Sequence, residues 1–189
     1  MTDITRAGCG WETGDPLYTR YHDEEWGVPC HDDAALFERL LLEGFQAGLS
    51  WITILRKREN FAAAFDNWDA QKISQYGEED VARLLADPGI IRNRLKVRGA
   101  IRNAQAYLDL KAGGETFDDF CWSFTGGTTI VNRPATLADV PAFTDEAVAM
   151  SKAMKKRGFT FVGPTICYAF MQSTGMVDDH LATCFRAQG

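Results

Sequence analysis

Cysteine and histidine residues stand near both ends of this chain: Cys9 and His22 at the front, His180 and Cys184 at the back. Thiolate and imidazole are the donors of a tetrahedral zinc site, and four of them saturate the ion. The spacing His180-x-x-x-Cys184 is i, i+4, which on a helical turn points both side chains from one face. A metal held by these four would tie the first residues to the last and close a loop of nearly the whole chain, where a cross-link restricts the unfolded state most. Spacing also leaves a second reading open. The five cysteines (Cys9, Cys30, Cys121, Cys167, Cys184) include no Cys-x-x-Cys pair, and single cysteines commonly serve as small buried hydrophobes.

The stretch from Glu43 to Trp51 could do a different kind of chemistry. Glu43 follows Leu40, Leu41 and Leu42, where a carboxylate is costly to bury unless a donor or a cation faces it. On one continuous helix Glu43 and Trp51 would sit ~80° and ~12 Å apart. A break at Gly48 lets them converge; otherwise Glu43 is an exposed helix residue near a core tryptophan. Trp11, Tyr18, Tyr21 and Trp26 cluster in a segment too rich in Gly, Asp and Pro for a long helix. Such aromatics either pack over a core or wall a slot for a planar ligand. From Lys155 to Pro164, a basic helix end, a short hairpin bracketed by Gly158 and Gly163, and a new helix start form a candidate phosphate seat, though a Gly-x-x-x-x-Gly turn is also a plain connector.

Helices must position these groups. Leu36, Phe37, Leu40, Leu41 and Phe45 form one apolar stripe after an N-cap at Asp32 or Asp33, ending near residue 47. Ser50 is the N-cap of a helix from Trp51 to about Ala64. Further helices are expected at 78–86, 91–111, 117–123, 145–157 and 164–173, the last with proline at its first position. Strands are expected only at 128–131 and 159–162, and 126–141 reads as the longest loop. The architecture is all-α, a single domain over 1–189.

Composition narrows the class. Of 189 residues, 46% are hydrophobic and 24% charged, which suits a soluble globular fold. No segment approaches the ~20 apolar residues of a membrane span, and the first residues carry no apolar leader, so a cytoplasmic monomer without membrane contact is expected. The odd cysteine count suits reduced thiols. A net charge of −6 argues mildly against non-specific nucleic-acid binding. Its placement weakens that objection: residues 88–108 hold Arg92, Arg94, Lys96, Arg98 and Arg102 with no acid, and 148–177 hold Lys152, Lys155, Lys156 and Arg157 with none. Such runs are commonly solvated helix faces.

Nearly end to end, the chain resembles the bacterial 3-methyladenine DNA glycosylase I family of the helix-hairpin-helix superfamily. The resemblance rests on Cys9-Gly10-Trp11, on DPLYTRYHDEEWGVP (15–29), on LLEGFQAGLSWITILRKREN (41–60), on KKRGFTFVGPTICYAFMQSTG (155–175) and on His180 and Cys184. It implies a helix-hairpin-helix glycosylase-like fold, a structural zinc on Cys9, His22, His180 and Cys184, and excision of 3-methyladenine from alkylated double-stranded DNA. It further implies a base pocket in which Trp51 stacks on the extruded base, Glu43 and Tyr21 hydrogen-bond its edge and carry the catalysis, and Trp11 and Tyr18 line the wall. The hairpin, with Lys156, Arg157, Gly158, Phe159, Thr160 and Gly163, would grip the backbone of the damaged strand.

Methylation at N3 makes adenine in DNA a cation with a weakened glycosidic bond. The protein must then supply selection more than acid catalysis, and an anion at Glu43 with Trp51 against the ring favours the charged lesion. No lysine stands in the pocket motifs, so a hydrolytic reaction leaving an abasic site and free 3-methyladenine is expected. Asp178 and Asp179 are candidates for steadying the developing sugar cation, or else a cap or a partner of the neighbouring metal ligand. Two rival readings remain: a non-catalytic binder of alkylated DNA, and a zinc hydrolase, which four protein ligands disfavour.

Overall fold

In the computed structural model, which describes residues 7–12 and 14–188, the described residues form ten α-helices, nine of them arranged around a central one. That helix, α2 (Asp33–Gln46), starts at Asp32, whose carboxylate accepts the Ala35 N–H at 2.8 Å. The expected stripe is buried, and so are Leu42, Glu43 and Gly44. A helix buried on nearly every side belongs in the centre. It packs against α3 (Trp51–Leu55), α7 (Arg94–Ala112), α8 (Phe117–Trp122) and α10 (Pro164–Ser173). No helix among the described residues is long and apolar enough to cross a membrane.

Between α2 and α3 the chain reverses at Gly48 (φ +80°), where Leu49 N–H donates to the Gln46 carbonyl at 2.7 Å. Lys96 of α7 closes the end of α2, its Nζ donating to the carbonyls of Phe45 (2.8 Å) and Ala47 (2.6 Å). A cation there complements the negative end of the helix.

The single helix expected from Trp51 to Ala64 is two. It breaks at Arg56–Lys57 into α3 and α4 (Arg58–Ala64). The break frees Lys57 to donate to the carbonyls of Pro88 and Gly89 and aims Arg58 at Glu25 and Glu38. The long helix α7 begins at Arg94 rather than residue 91, because Asn93 caps it by accepting from Leu95 and Lys96. Much of its basic run is structural: Arg94 and Arg98 pair with Glu78 of α6 (Glu78–Ala86).

Tyr18 and Tyr21 ride on a short helix, α1 (Pro16–Glu24), which Asp15 caps and Pro16 opens, with Trp11 and Trp26 in the segments on either side. A single turn, α5 (Ala70–Ile73), completes the packing against α7. No strand forms at 159–162; the reason lies in the hairpin described below. Instead β1 (Ile130–Val131) pairs in parallel with β2 (Val177–Asp178), pinning the long loop to the exit of α10. The first and last described segments meet, Phe185 N–H donating to the Ala7 carbonyl at 2.9 Å.

Candidate functional site

Cys9, His22 and Cys184 converge in a small satellite core. Their donor atoms lie within 4.8 Å of one another, and Cys184 Sγ stands 3.5 Å from His22 Nε2. All three are buried, with Leu181 between them and Trp11, Trp26 and Phe185 packed around. Burial pushes the Cys9 thiol up to about 12, a cost that a bound cation would reverse. The set can hold a metal ion.

His180 falls outside that mutual set but beside it, its ring centroid 5.1 Å from that of His22. The pair His180 and Cys184 sits on a turn, not on the helix its spacing suggested, with Cys184 N–H donating to the Leu181 carbonyl. Both histidines are oriented by carboxylates. Nδ1 of His22 contacts Asp23 and Nδ1 of His180 contacts Asp178, each at 2.7 Å. An ionised carboxylate only accepts, so each Nδ1 carries its hydrogen and each Nε2 keeps its lone pair for another partner. Nε2 of His180 is buried without a hydrogen-bond partner among the described residues. Asp178 also pairs with Arg133 at 2.8 Å, and its contacts with His180 and Arg133 overcome burial to hold its carboxyl down at about 2.

Next to this cluster lies a cavity of about 160 Å³ lined by all five residues expected of the pocket, Trp11, Tyr18, Tyr21, Glu43 and Trp51, together with Trp26, Gln46, Ala169 and Gln172. Its elements explain the convergence. Helix α2 delivers Glu43 from its last turn, α3 delivers Trp51 from its first, and α1 delivers Tyr18 and Tyr21 one turn apart. Tyr21 and Trp51 meet at 5.4 Å between centroids, while Trp11 lies 4.9 Å from Tyr18 and 5.2 Å from Trp26. The Trp51 Nε1 has no hydrogen-bond partner among the described residues.

Glu43 is only 4% exposed. Burial pushes its carboxyl up to about 8, opposed by a hydrogen bond from Ser173 and by the positive charge of Arg39. Burial, and after it the charge of Glu43, raises Tyr21 well above the ordinary tyrosine value, so its hydroxyl stays a proton donor. The arrangement is an aromatic slot with one buried acid, suited to a flat ligand that brings positive charge.

The hairpin is built differently from the expectation. Gly158 (φ +90°) ends α9 (Asp145–Lys156) in a Schellman motif: Phe159 N–H donates to Met154 carbonyl (3.1 Å) and Gly158 N–H to Lys155 carbonyl (3.0 Å). Thr160 is clamped at both backbone groups by Asn103, its N–H donating to Oδ1 (2.7 Å) and its carbonyl accepting from Nδ2 (3.0 Å). The Phe159 side chain is buried against Phe117. Arg157 pairs with Glu115 and covers the Phe120 ring at 4.1 Å. Four of the six residues expected to face a phosphate, Gly158, Phe159, Thr160 and Arg157, therefore have their amides or side chains committed elsewhere. Lys156 is exposed and Gly163 half-buried. The amides of Phe161, Val162 and Gly163 make no hydrogen bond among the described residues and lead into the first turn of α10.

Sequence reasoning missed Gln46 and Gln172, both of which line the cavity. Gln172 had no signal, since its contact with Asp179 joins α10 to the segment after β2.

Comparison with known proteins fits this geometry. Over 176 residues the chain is 54% identical to DNA-3-methyladenine glycosylase 1 of Escherichia coli K12, covering 93% of this chain and 94% of that protein. A solved structure of a 3-methyladenine DNA glycosylase I superposes with a TM-score of 0.93 at 52% identity, over 95% of this chain and 98% of the other. A tyrosine-to-phenylalanine variant of 3-methyladenine DNA glycosylase I, solved in complex with 3-methyladenine, superposes with a TM-score of 0.91 at 36% identity, over 94% and 96% of the two chains. The family model described as methyladenine glycosylase matches residues 11–187, and the chain belongs to that family.

Proposed function

We propose that this protein excises 3-methyladenine from alkylated DNA by hydrolysing its N-glycosidic bond, leaving an abasic site and the free base. The observation that carries the reading is the buried acid Glu43 in a slot walled by Trp11, Tyr18, Tyr21 and Trp51. Extruding a base from the duplex costs a few kcal/mol, least when the base is damaged. Neutral adenine entering the slot would find an acid that burial keeps protonated near neutral pH. The methylated base arrives as a cation, draws Glu43 into its ionised form and lies against Trp51, a cation–π contact worth ~0.5 to 2 kcal/mol. Tyr21 donates its hydroxyl hydrogen to the base edge. Cleavage is dissociative: the C1′–N9 bond breaks with its electron pair leaving on the base, which becomes neutral, and water adds to the sugar cation and loses a proton.

Asp178 and Asp179 serve as orienting groups in this reading rather than as stabilisers of the sugar cation, since Asp178 holds His180 and Asp179 accepts from Tyr168, Gln172 and Asn132. Cys9, His22, His180 and Cys184 hold one structural zinc. The fit rests on the partnerless Nε2 of His180, the Nε2 of His22 turned to the Cys184 thiol, two buried thiols and two carboxylates that fix the imidazoles. Four protein ligands leave the ion no open position, so its role is to fasten the segment that carries Trp11, Tyr18 and Tyr21. The damaged strand is gripped at Lys156 and at the free amides of Phe161 and Gly163 ahead of α10. Incubation with methylated duplex DNA and identification of every released base tests the reading. Release of 3-methyladenine is expected; binding of the DNA without release would make the protein a lesion binder instead.

A further inference from the structure

Asp179 is buried and accepts three hydrogen bonds, from Tyr168 Oη (2.6 Å), Gln172 Nε2 (2.7 Å) and Asn132 Nδ2 (2.7 Å). With three donors converging, it acts as a pure acceptor and fixes the orientation of each amide it touches. For Gln172 that has a specific effect. This residue lines the pocket, its neighbour Ser173 reaches Glu43, and its Oε1 makes no hydrogen bond among the described residues. With its amide nitrogen pinned by Asp179, Gln172 keeps its amide oxygen free to accept from another donor.

We infer that Gln172 is a specificity-determining residue, set by Asp179 to present its amide oxygen to the pocket, where it accepts from the exocyclic amine of an adenine-type base and rejects a 6-oxo purine. The inference rests on the reading of this slot as a base pocket. Gln172 Oε1 is then a fixed acceptor that cannot exchange roles, and a base bearing a carbonyl at position 6 would set oxygen against oxygen there. A site built to receive a hydrogen discriminates well, because the wrong ligand leaves buried acceptors unpaired.

The experiment measures binding of free 3-methyladenine and of its 6-oxo counterpart, 3-methylhypoxanthine, to the parent protein, to Gln172→Met and to Asp179→Asn. The parent should prefer the amine. In Gln172→Met, which conserves volume and removes the acceptor, the preference should shrink by roughly tenfold, chiefly through weaker binding of the amine. In Asp179→Asn the new amide nitrogen can donate to Gln172, flip it and turn Nε2 into the pocket, so the preference should shrink further or invert. A merely structural role would weaken both bases alike and leave their ratio unmoved. An unchanged ratio in Gln172→Met overturns the inference, and that variant decides the matter alone should Asp179→Asn fail to fold. If the parent binds neither base, the reading of the pocket falls instead.

Discussion

Trp11 and Trp26 meet nearly perpendicular at 5.2 Å, and through that contact the wall of the pocket rests on the Cys/His cluster. Trp26 in turn packs on His180 at 4.7 Å, so that histidine, two tryptophans and the slot form one continuous stack.

If the Cys/His cluster holds zinc as proposed, removing the metal should damage recognition before it damages the fold. Cys184→Ser, or chelation of the parent protein, is expected to weaken binding of free 3-methyladenine by ~10-fold or more while helical circular dichroism is retained, since outer partners of a metal site commonly matter by such factors. Equal affinity in metal-free protein would detach the cluster from the pocket.

Gly27 offers a test that leaves every ligand in place. It has φ +74°, and a Cβ there would lie 2.7 Å from Cε1 of His180. Gly27→Ala should cost about 1–2 kcal/mol through backbone conformation alone and should also displace the imidazole. A lower melting temperature, together with faster loss of zinc to a competing chelator, is the expected outcome; normal zinc retention would separate His180 from the ion.

The pH dependence of stability follows from Glu43. Its carboxyl rises from 4.5 when unfolded to about 8 in the folded protein. The folded state thus holds the proton more tightly, so stability from this group is complete below 4.5 and is lost as pH rises through about 8. Glu43→Gln removes that dependence. The variant should gain on the parent as pH rises from 5 to 8, by at most ~1.4 kcal/mol per pH unit, while losing affinity for 3-methyladenine. A stability difference that stays flat over this range would show Glu43 to be ionised throughout.

Asn103→Ala should loosen the hairpin without touching the slot. It removes both hydrogen bonds that clamp the Thr160 backbone, at a cost of ~1–3 kcal/mol for buried groups left unpaired. Weaker binding to duplex DNA with unaltered affinity for the free base is expected, and a matched loss in both would place Asn103 in support of the pocket.

Much of this organisation was legible along the chain. The cap at Asp32, the proline that opens α10 at Pro164, the stripe of α2 and the break at Gly48 each follow from local chemistry, and with them the meeting of Glu43 and Trp51. Features set by contacts distant in sequence were not. The split of the Trp51–Ala64 helix depends on Glu25, Glu38 and the carbonyls of residues 88 and 89; the shape of the hairpin depends on Asn103; and the parallel pairing of 130–131 with 177–178 joins two-residue strands too short to leave an alternating pattern. The spacing of His180 and Cys184 suggested one face of a helical turn, whereas the structure places both on a non-helical turn.

The molecule has two hydrophobic cores, a large one centred on α2 and a small one around Cys9, Leu181 and Cys184. Glu43 is anchored in the first, whereas Trp11 leans on the second. Damage to the smaller core would thus produce an intact-looking protein that has become blind to its lesion, a failure that assays of solubility or folding would miss.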